Sequence, residues 1–208
     1  MSEKRQGYLN LNKIQLKNKE MINMKYVMKK SKNNFKAMEK IMHLYGQVSE
    51  YSTTDKIEIR EIVEEHKQAM LNTDIVHSFE IRKGEKLVAG LYATEMKKYV
   101  EVHIMAVKKS QQSKGYGSAL VSEIKKLCDS VNKPFVIIVC HNEYDDVIEF
   151  YKKNGIDCEI ERCSESTYLC NQESYSKIER DNTIKHSIMG IDVDRFNQMV
   201  KSIFAKVA

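Results

Sequence analysis

An apolar, strand-like run ending at Val107 meets an amphipathic, helix-like run through Gln112-Ser113-Lys114-Gly115-Tyr116-Gly117, and this junction constrains the fold more than any other stretch. Two glycines let the backbone approach a ligand closely and adopt conformations that a Cβ forbids, so successive N–H groups can turn toward phosphate oxygens. A helix beginning at about Gly117 adds the positive end of its dipole, and the pattern reads as an anion cradle. A Walker loop is excluded because the Gly-Lys-Ser/Thr ending is missing. A dinucleotide fingerprint is excluded as well, since Gly115-x-Gly117 lacks the third glycine and follows an antiparallel meander.

The hydrophobic period around the junction supplies the architecture. A short strand is expected near Met24 to Lys30. Phe35, Met38, Ile41, Met42 and Tyr45 then recur at helical spacing, as do Ile59, Ile62, Val63, His66 and Met70 after capping candidates Thr53, Thr54 and Asp55. Alternation takes over in three strands, 76–82, 87–94 and 99–107, the last with Tyr99, Glu101, His103 and Met105 on one face and Val100, Val102, Ile104 and Ala106 on the other. Beyond the loop, Leu120, Ile124, Leu127 and Val131 form one helical stripe, with Glu123, Lys125 and Lys126 toward water. Phe135 to Cys140 is apolar throughout and β-branched, the pattern of a strand covered on both faces. A helix with Val147, Ile148 and Tyr151 inside is stopped by Asn154-Gly155, and strands near 158–162 and 167–170 complete a mixed sheet.

The 208 residues suffice for one sizeable core, so a single α/β domain over 23–171 is expected, with a loosely held extension at 1–22 and a tail at 172–208. The tail is polar until Asp192. Phe196, Met199, Val200, Ile203 and Phe204 then mark a terminal helix whose apolar face needs the domain or a second subunit, which would make a homodimer. A formal net charge of +5 suits an anionic ligand but falls short of the dense basic stripe of a nucleic-acid binder. The five cysteines, irregularly spaced behind a polar N-terminus, point to reduced thiols in an intracellular setting, cytoplasmic or nuclear. Nowhere does an uncharged apolar run approach the ~20 residues of a membrane span.

The order of elements and the Gln112-x-x-Gly115-x-Gly117 loop resemble the GNAT superfamily of N-acetyltransferases over roughly residues 24 to 170. Val102 to Val107 resembles the family's fourth strand, and Phe150-Tyr151-Lys152-Lys153-Asn154-Gly155 resembles its second motif. The resemblance implies the GNAT acyl-CoA N-acyltransferase fold, a mixed, mostly antiparallel sheet with helices on both faces. It implies acetyl-CoA as co-substrate, with the pantetheine arm between splayed strands four and five beside Met105, Ala106 and Val107. The pyrophosphate is then expected at the amides of Gln112, Ser113, Lys114, Gly115, Tyr116, Gly117 and Ser118.

Acetyl transfer to an amine requires a base, an oxyanion donor and an acid for the departing thiolate. Glu101 stands where histone acetyltransferases of this type carry their base; His103 is the alternative, although a lone histidine between apolar residues is more often packing. The resemblance assigns the oxyanion contact to the Met105 amide and the acid to Tyr151, which by default is a core residue. No metal is expected: Cys158, Cys163, Cys170 and His141 offer no paired C-x-x-C spacing, and Cys140 reads as a buried thiol. The expected acceptor is a primary amine, either a protein lysine, histones included, or a small amine. A non-catalytic module that binds coenzyme A or a partner is the reading from another class.

Overall fold

The computed structural model describes residues 27–49, 52–71, 73–140, 145–162, 166–185 and 187–188. The expected extension at 1–22, the start of the first strand, His141, the thiol of Cys140, Cys163 and the terminal helix with its dimer face lie outside the described residues.

Seven strands form one sheet in the order β1-β2-β3-β4-β5-β7-β6. In chain order the elements are β1 (Val27–Lys32), α1 (Phe35–Gly46), α2 (Lys56–Ala69), β2 (Ile75–Lys83), β3 (Lys86–Glu95) and β4 (Val100–Val107). A single 3-10 turn (Lys109–Gln111) leads to α3 (Tyr116–Val131), followed by β5 (Phe135–Cys140), α4 (Asp145–Lys153), β6 (Cys158–Arg162), β7 (Ser166–Cys170) and α5 (Gln172–Arg180). Every strand pair is antiparallel except β4 with β5. That exception follows from connectivity, because α3 carries the chain back across the sheet between those two strands.

Three apolar clusters sandwich the sheet. On one face Leu120, Ile124 and Tyr116 of α3 and Tyr151 of α4 pack on Phe79, Leu91, Val102 and Ile137. On the other, Met38 and Ile41 of α1 and Ile59 and Val63 of α2 close over Val76 and Tyr92. The third cluster joins Tyr99, Val136 and Tyr168 to Ile178, Ile184 and Ile188. Helix α5 in this cluster lies within the stretch 172–191, which its sequence makes polar and for which no helix is expected. Its inward residues are few, but Asn171 caps it, Oδ1 accepting from the Ser174 N–H at 2.8 Å, a contact of about 1 kcal/mol.

Two further expectations change. Glu123 does not simply face water: its carboxylate is paired with Lys30 of β1 and, at 2.8 Å, with Lys126. The strict alternation expected along β4 also fails. Ala93 pairs with Val102 but Tyr92 pairs with Ile104, so His103 is an extra residue, a bulge in the ladder. After it the phase inverts. Ile104 joins the α1/α2 face, while Met105 and Val107 cross to the α3 face.

Candidate active site

The bulge lies where β4 parts from β5. Parallel pairing covers only Val100, Val102 and the residue between them, against Phe135 to Ile137, and from there β5 pairs with β7 alone. The second half of β4 therefore has one edge facing a gap. The Lys108 N–H donates to the Val88 carbonyl at 2.9 Å, which fixes the phase of the ladder with β3. Ala106 and Ile104 turn their backbone groups toward β3, and Met105 and Val107 turn theirs into the gap. The Gln112 side chain reaches back to donate to the Val107 carbonyl at 3.2 Å.

The loop reaches α3 through Gly115, whose φ of +80° is the left-handed conformation that favours glycine. The first helical backbone bond runs from the Ala119 N–H to the Gly115 carbonyl, so the N–H groups of Tyr116, Gly117 and Ser118 have no partner inside the helix. No side chain caps this end and its first turn carries no carboxylate. Lys108, Lys109 and Lys114 surround it in sequence, and the Lys83 ammonium lies 5.8 Å from the centre of the Tyr116 ring. Such donors and charges fit a pyrophosphate. Two loop residues also have local structural contacts. The Gln112 N–H closes the 3-10 turn onto the Lys109 carbonyl, and Gly117 lets Phe150 pack close, since a Cβ there would stand 2.9 Å from its Cζ and push the ring aside.

Glu101 opens onto the other face and is buried. Its Oε1 lies 3.2 Å from Nδ1 of His103, an ion-pair distance short of hydrogen-bond alignment. His103 is wedged into place: its ring stacks on Tyr92 with centroids 5.3 Å apart, and His66 of α2 meets it edge-on at 4.8 Å. Burial drives the His103 imidazole down to about 4, so it is neutral near pH 7. Burial, with the Glu101 charge nearby, also drives the Tyr92 phenol upward and keeps it protonated. The hydroxyl of Thr94, fully enclosed, lies 2.8 Å from Nε2 of His103 and 3.1 Å from Nε2 of His66. Sequence reading missed Thr94 and His66 as site neighbours. Only the pairing of β3 with β4 and the crossing of α2 bring them there.

Tyr151 is buried on the opposite face, within the α3-side cluster that Met105 also touches. Glu101 and Tyr151 thus belong to different faces of the sheet. Cys128 and Cys170 are buried thiols, pushed up to about 12 chiefly by burial, and are unsuited to act as nucleophiles. Among the described residues no three His, Cys, Asp or Glu side chains cluster as a metal site, and no helix is long and apolar enough to cross a membrane.

Residues 38–156 match the model of the acetyltransferase (GNAT) family. The chain belongs to that family, whose members carry out acetyl-CoA-dependent acyl transfer. No curated protein matches it in sequence. Among solved structures it is similar to the PaiA N-acetyltransferase from Thermoplasma acidophilum in complex with coenzyme A, at 14% identity and a TM-score of 0.52 over 71% of this chain and 99% of that one. An acetyltransferase from Thermus thermophilus gives 10% identity and 0.53 over 70% and 96%. A GNAT family acetyltransferase from Elizabethkingia anophelis with acetyl-CoA bound gives 10% and 0.50 over 70% and 97%. At such identities the likeness concerns the fold, and it agrees with the mixed, mostly antiparallel sheet and helices on both faces.

Proposed function

We propose that this GNAT protein is an N-acetyltransferase that moves the acetyl group of acetyl-CoA to a primary amine, with a protein lysine as the favoured acceptor. One observation supports the reading: β5 leaves β4 just after Glu101 and Val102, so the backbone groups of Met105 and Val107 face an open gap a few residues beyond the buried Glu101 carboxylate. The Met105 and Val107 backbone groups would hold the pantetheine arm alongside Ala106, and the α3 amides from Tyr116 to Ser118, with Gly115 shaping their approach, would hold the pyrophosphate. Ser113, Lys114 and the Gln112 side chain complete that wall. Bound there, the co-substrate supplies an activated thioester.

Glu101 would take the proton that an alkyl ammonium, with pKa near ~10.4, must lose before its nitrogen can attack; a water can bridge the two. The N–H of Met105 would donate to the oxyanion as the carbonyl becomes tetrahedral. Tyr151, on the far face, would return a proton to the departing sulfur. The amine thus enters from the α1/α2 side and the thiolate leaves toward α3 and α4. His103 is a poor base because burial holds it neutral and weakly basic. This supports Glu101 in the role.

Calorimetry with acetyl-CoA comes first, and absence of binding would sink the reading. Thiol release is then followed with histone-tail peptides, peptides with free N-termini and polyamines. Turnover of a lysine peptide well above the polyamines supports the protein-lysine assignment, and the reverse makes this a small-amine enzyme. Binding without turnover of any acceptor would favour a coenzyme-binding module.

A further inference from the structure

From the buried Glu101 carboxylate a string of polar groups runs across β3 to helix α2. Nδ1 of His103 faces Oε1 of Glu101 at 3.2 Å, Nε2 of His103 faces Oγ1 of Thr94 at 2.8 Å, and the same oxygen faces Nε2 of His66 at 3.1 Å. Glu101 and Thr94 are buried, and His66, half-buried on α2, is the outer end.

The hydrogens in this string can be ordered. A neutral imidazole has one N–H and one lone pair, and a carboxylate only accepts. If the lone pair of His103 were on Nδ1, two acceptors would oppose each other in a buried pocket, where an unmatched pair is costly. The hydrogen therefore belongs on Nδ1, which leaves Nε2 to accept from the Thr94 hydroxyl and the Thr94 oxygen to accept from the Nε2–H of His66. Each hydrogen then lies on the side of its donor nearer Glu101: counted inward from His66, the first two are in hydrogen bonds and the last is in the 3.2 Å contact without hydrogen-bond alignment. The rings cannot swing away, since Tyr92 stacks on His103 with an interplanar angle of 24° and His66 abuts it at 87°. The contact at Glu101 falls short of alignment, as catalytic contacts often do before substrate tightens them.

Taking Glu101 as the base, on which this rests, we propose that Thr94 and His66 are positioning residues that fix His103 in the tautomer whose Nδ1–H orients the Glu101 carboxylate. They touch neither acceptor nor donor. Their effect passes through His103, and it couples helix α2 to the reacting centre.

The test uses the full chain with 15N-labelled histidine. Without ligand at neutral pH, His103 should be protonated on Nδ1 in the wild type and in Thr94→Ser, which keeps the hydroxyl, and should shift toward Nε2 protonation in Thr94→Val. With acetyl-CoA and the best acceptor from the screen above, Thr94→Val and His66→Phe should lose about tenfold in kcat with KM for acetyl-CoA unchanged, while Thr94→Ser stays within about twofold. A wild-type His103 protonated on Nε2, or a Thr94→Val enzyme that turns over normally, overturns the proposal. Glu101→Gln separates the two readings: if it loses turnover while Thr94→Val does not, the base stands and the string falls. If Glu101→Gln turns over like the wild type, both fall.

Discussion

Among the described residues the sheet has two buried histidine–carboxylate contacts, and they differ in what surrounds the carboxylate. At the end of β3, Glu95 lies 2.9 Å from His77 and 2.8 Å from the Lys133 ammonium, which also donates to the Met96 carbonyl at 2.8 Å. Burial would raise the Glu95 carboxyl, but Lys133 and His77 outweigh it and hold the group below its usual range. A carboxylate so paired is a poor proton acceptor. At the bulge in β4, by contrast, Glu101 faces His103, whose imidazole stays neutral because of its burial. The same two residue types give a lysine-paired strut in one place and, at the bulge, the candidate base beside a neutral imidazole.

The widest separation between the two should come from removing each carboxylate charge. Glu101→Gln should lower kcat by about 10²- to 10³-fold with acetyl-CoA binding intact by calorimetry, whereas Glu95→Gln should leave kcat within about twofold. Equal losses in both would erase the distinction.

Next in size is an acid effect on stability. An imidazole that titrates near 6.5 in the unfolded chain but at about 4 in the folded one takes its proton more readily when unfolded. The contribution of His103 is therefore complete above about pH 6.5 and is lost as pH falls toward 4, by about 3 kcal/mol at most. Burial also lowers His77, so its effect has the same sign. Urea unfolding of the wild type and of His103→Phe between pH 7.5 and 4.5 checks this: the variant should show the shallower decline.

Lys133→Met should cost about 1–3 kcal/mol in urea unfolding by leaving Glu95 partly unpaired, with kcat unchanged. The smallest effect expected is His77→Gln, about 1 kcal/mol from one weakened hydrogen bond. Loss of turnover in either would show that the strut reaches the reacting centre.

Much of this arrangement is legible in the residues. Glycines, the apolar run 135–140 and the stripe of α3 give strand, loop and helix in order, because each depends on local period. The resemblance to the family rests on the same stretch. The bulge is not local: Val100 to Val107 alternates well enough that only the pairing of Tyr92 with Ile104 reveals the extra residue. With it, Met105 moves from the expected face to the other. Helix α5 escapes a periodic reading because its nine residues turn only Ser174 and Ile178 fully inward, although Asn171 is a capping clue. The Thr94 to His66 contact joins residues 28 apart on different elements, and no spacing rule brings them together.

The short join between β4 and β5 also bears on how the molecule opens. Strands β1 to β4 share long antiparallel ladders, and β5, β7 and β6 share another, but only three residue pairs connect the two groups. The α3-side cluster packs across this seam, but its ladder is the thinnest in the sheet, and local opening is expected first where few backbone bonds join two groups. Amide exchange should therefore resolve two blocks, with the amides of β5 and β7 releasing deuterium together and on a different schedule from those of β2 and β3. A molecule that fills the gap would draw the two schedules toward one.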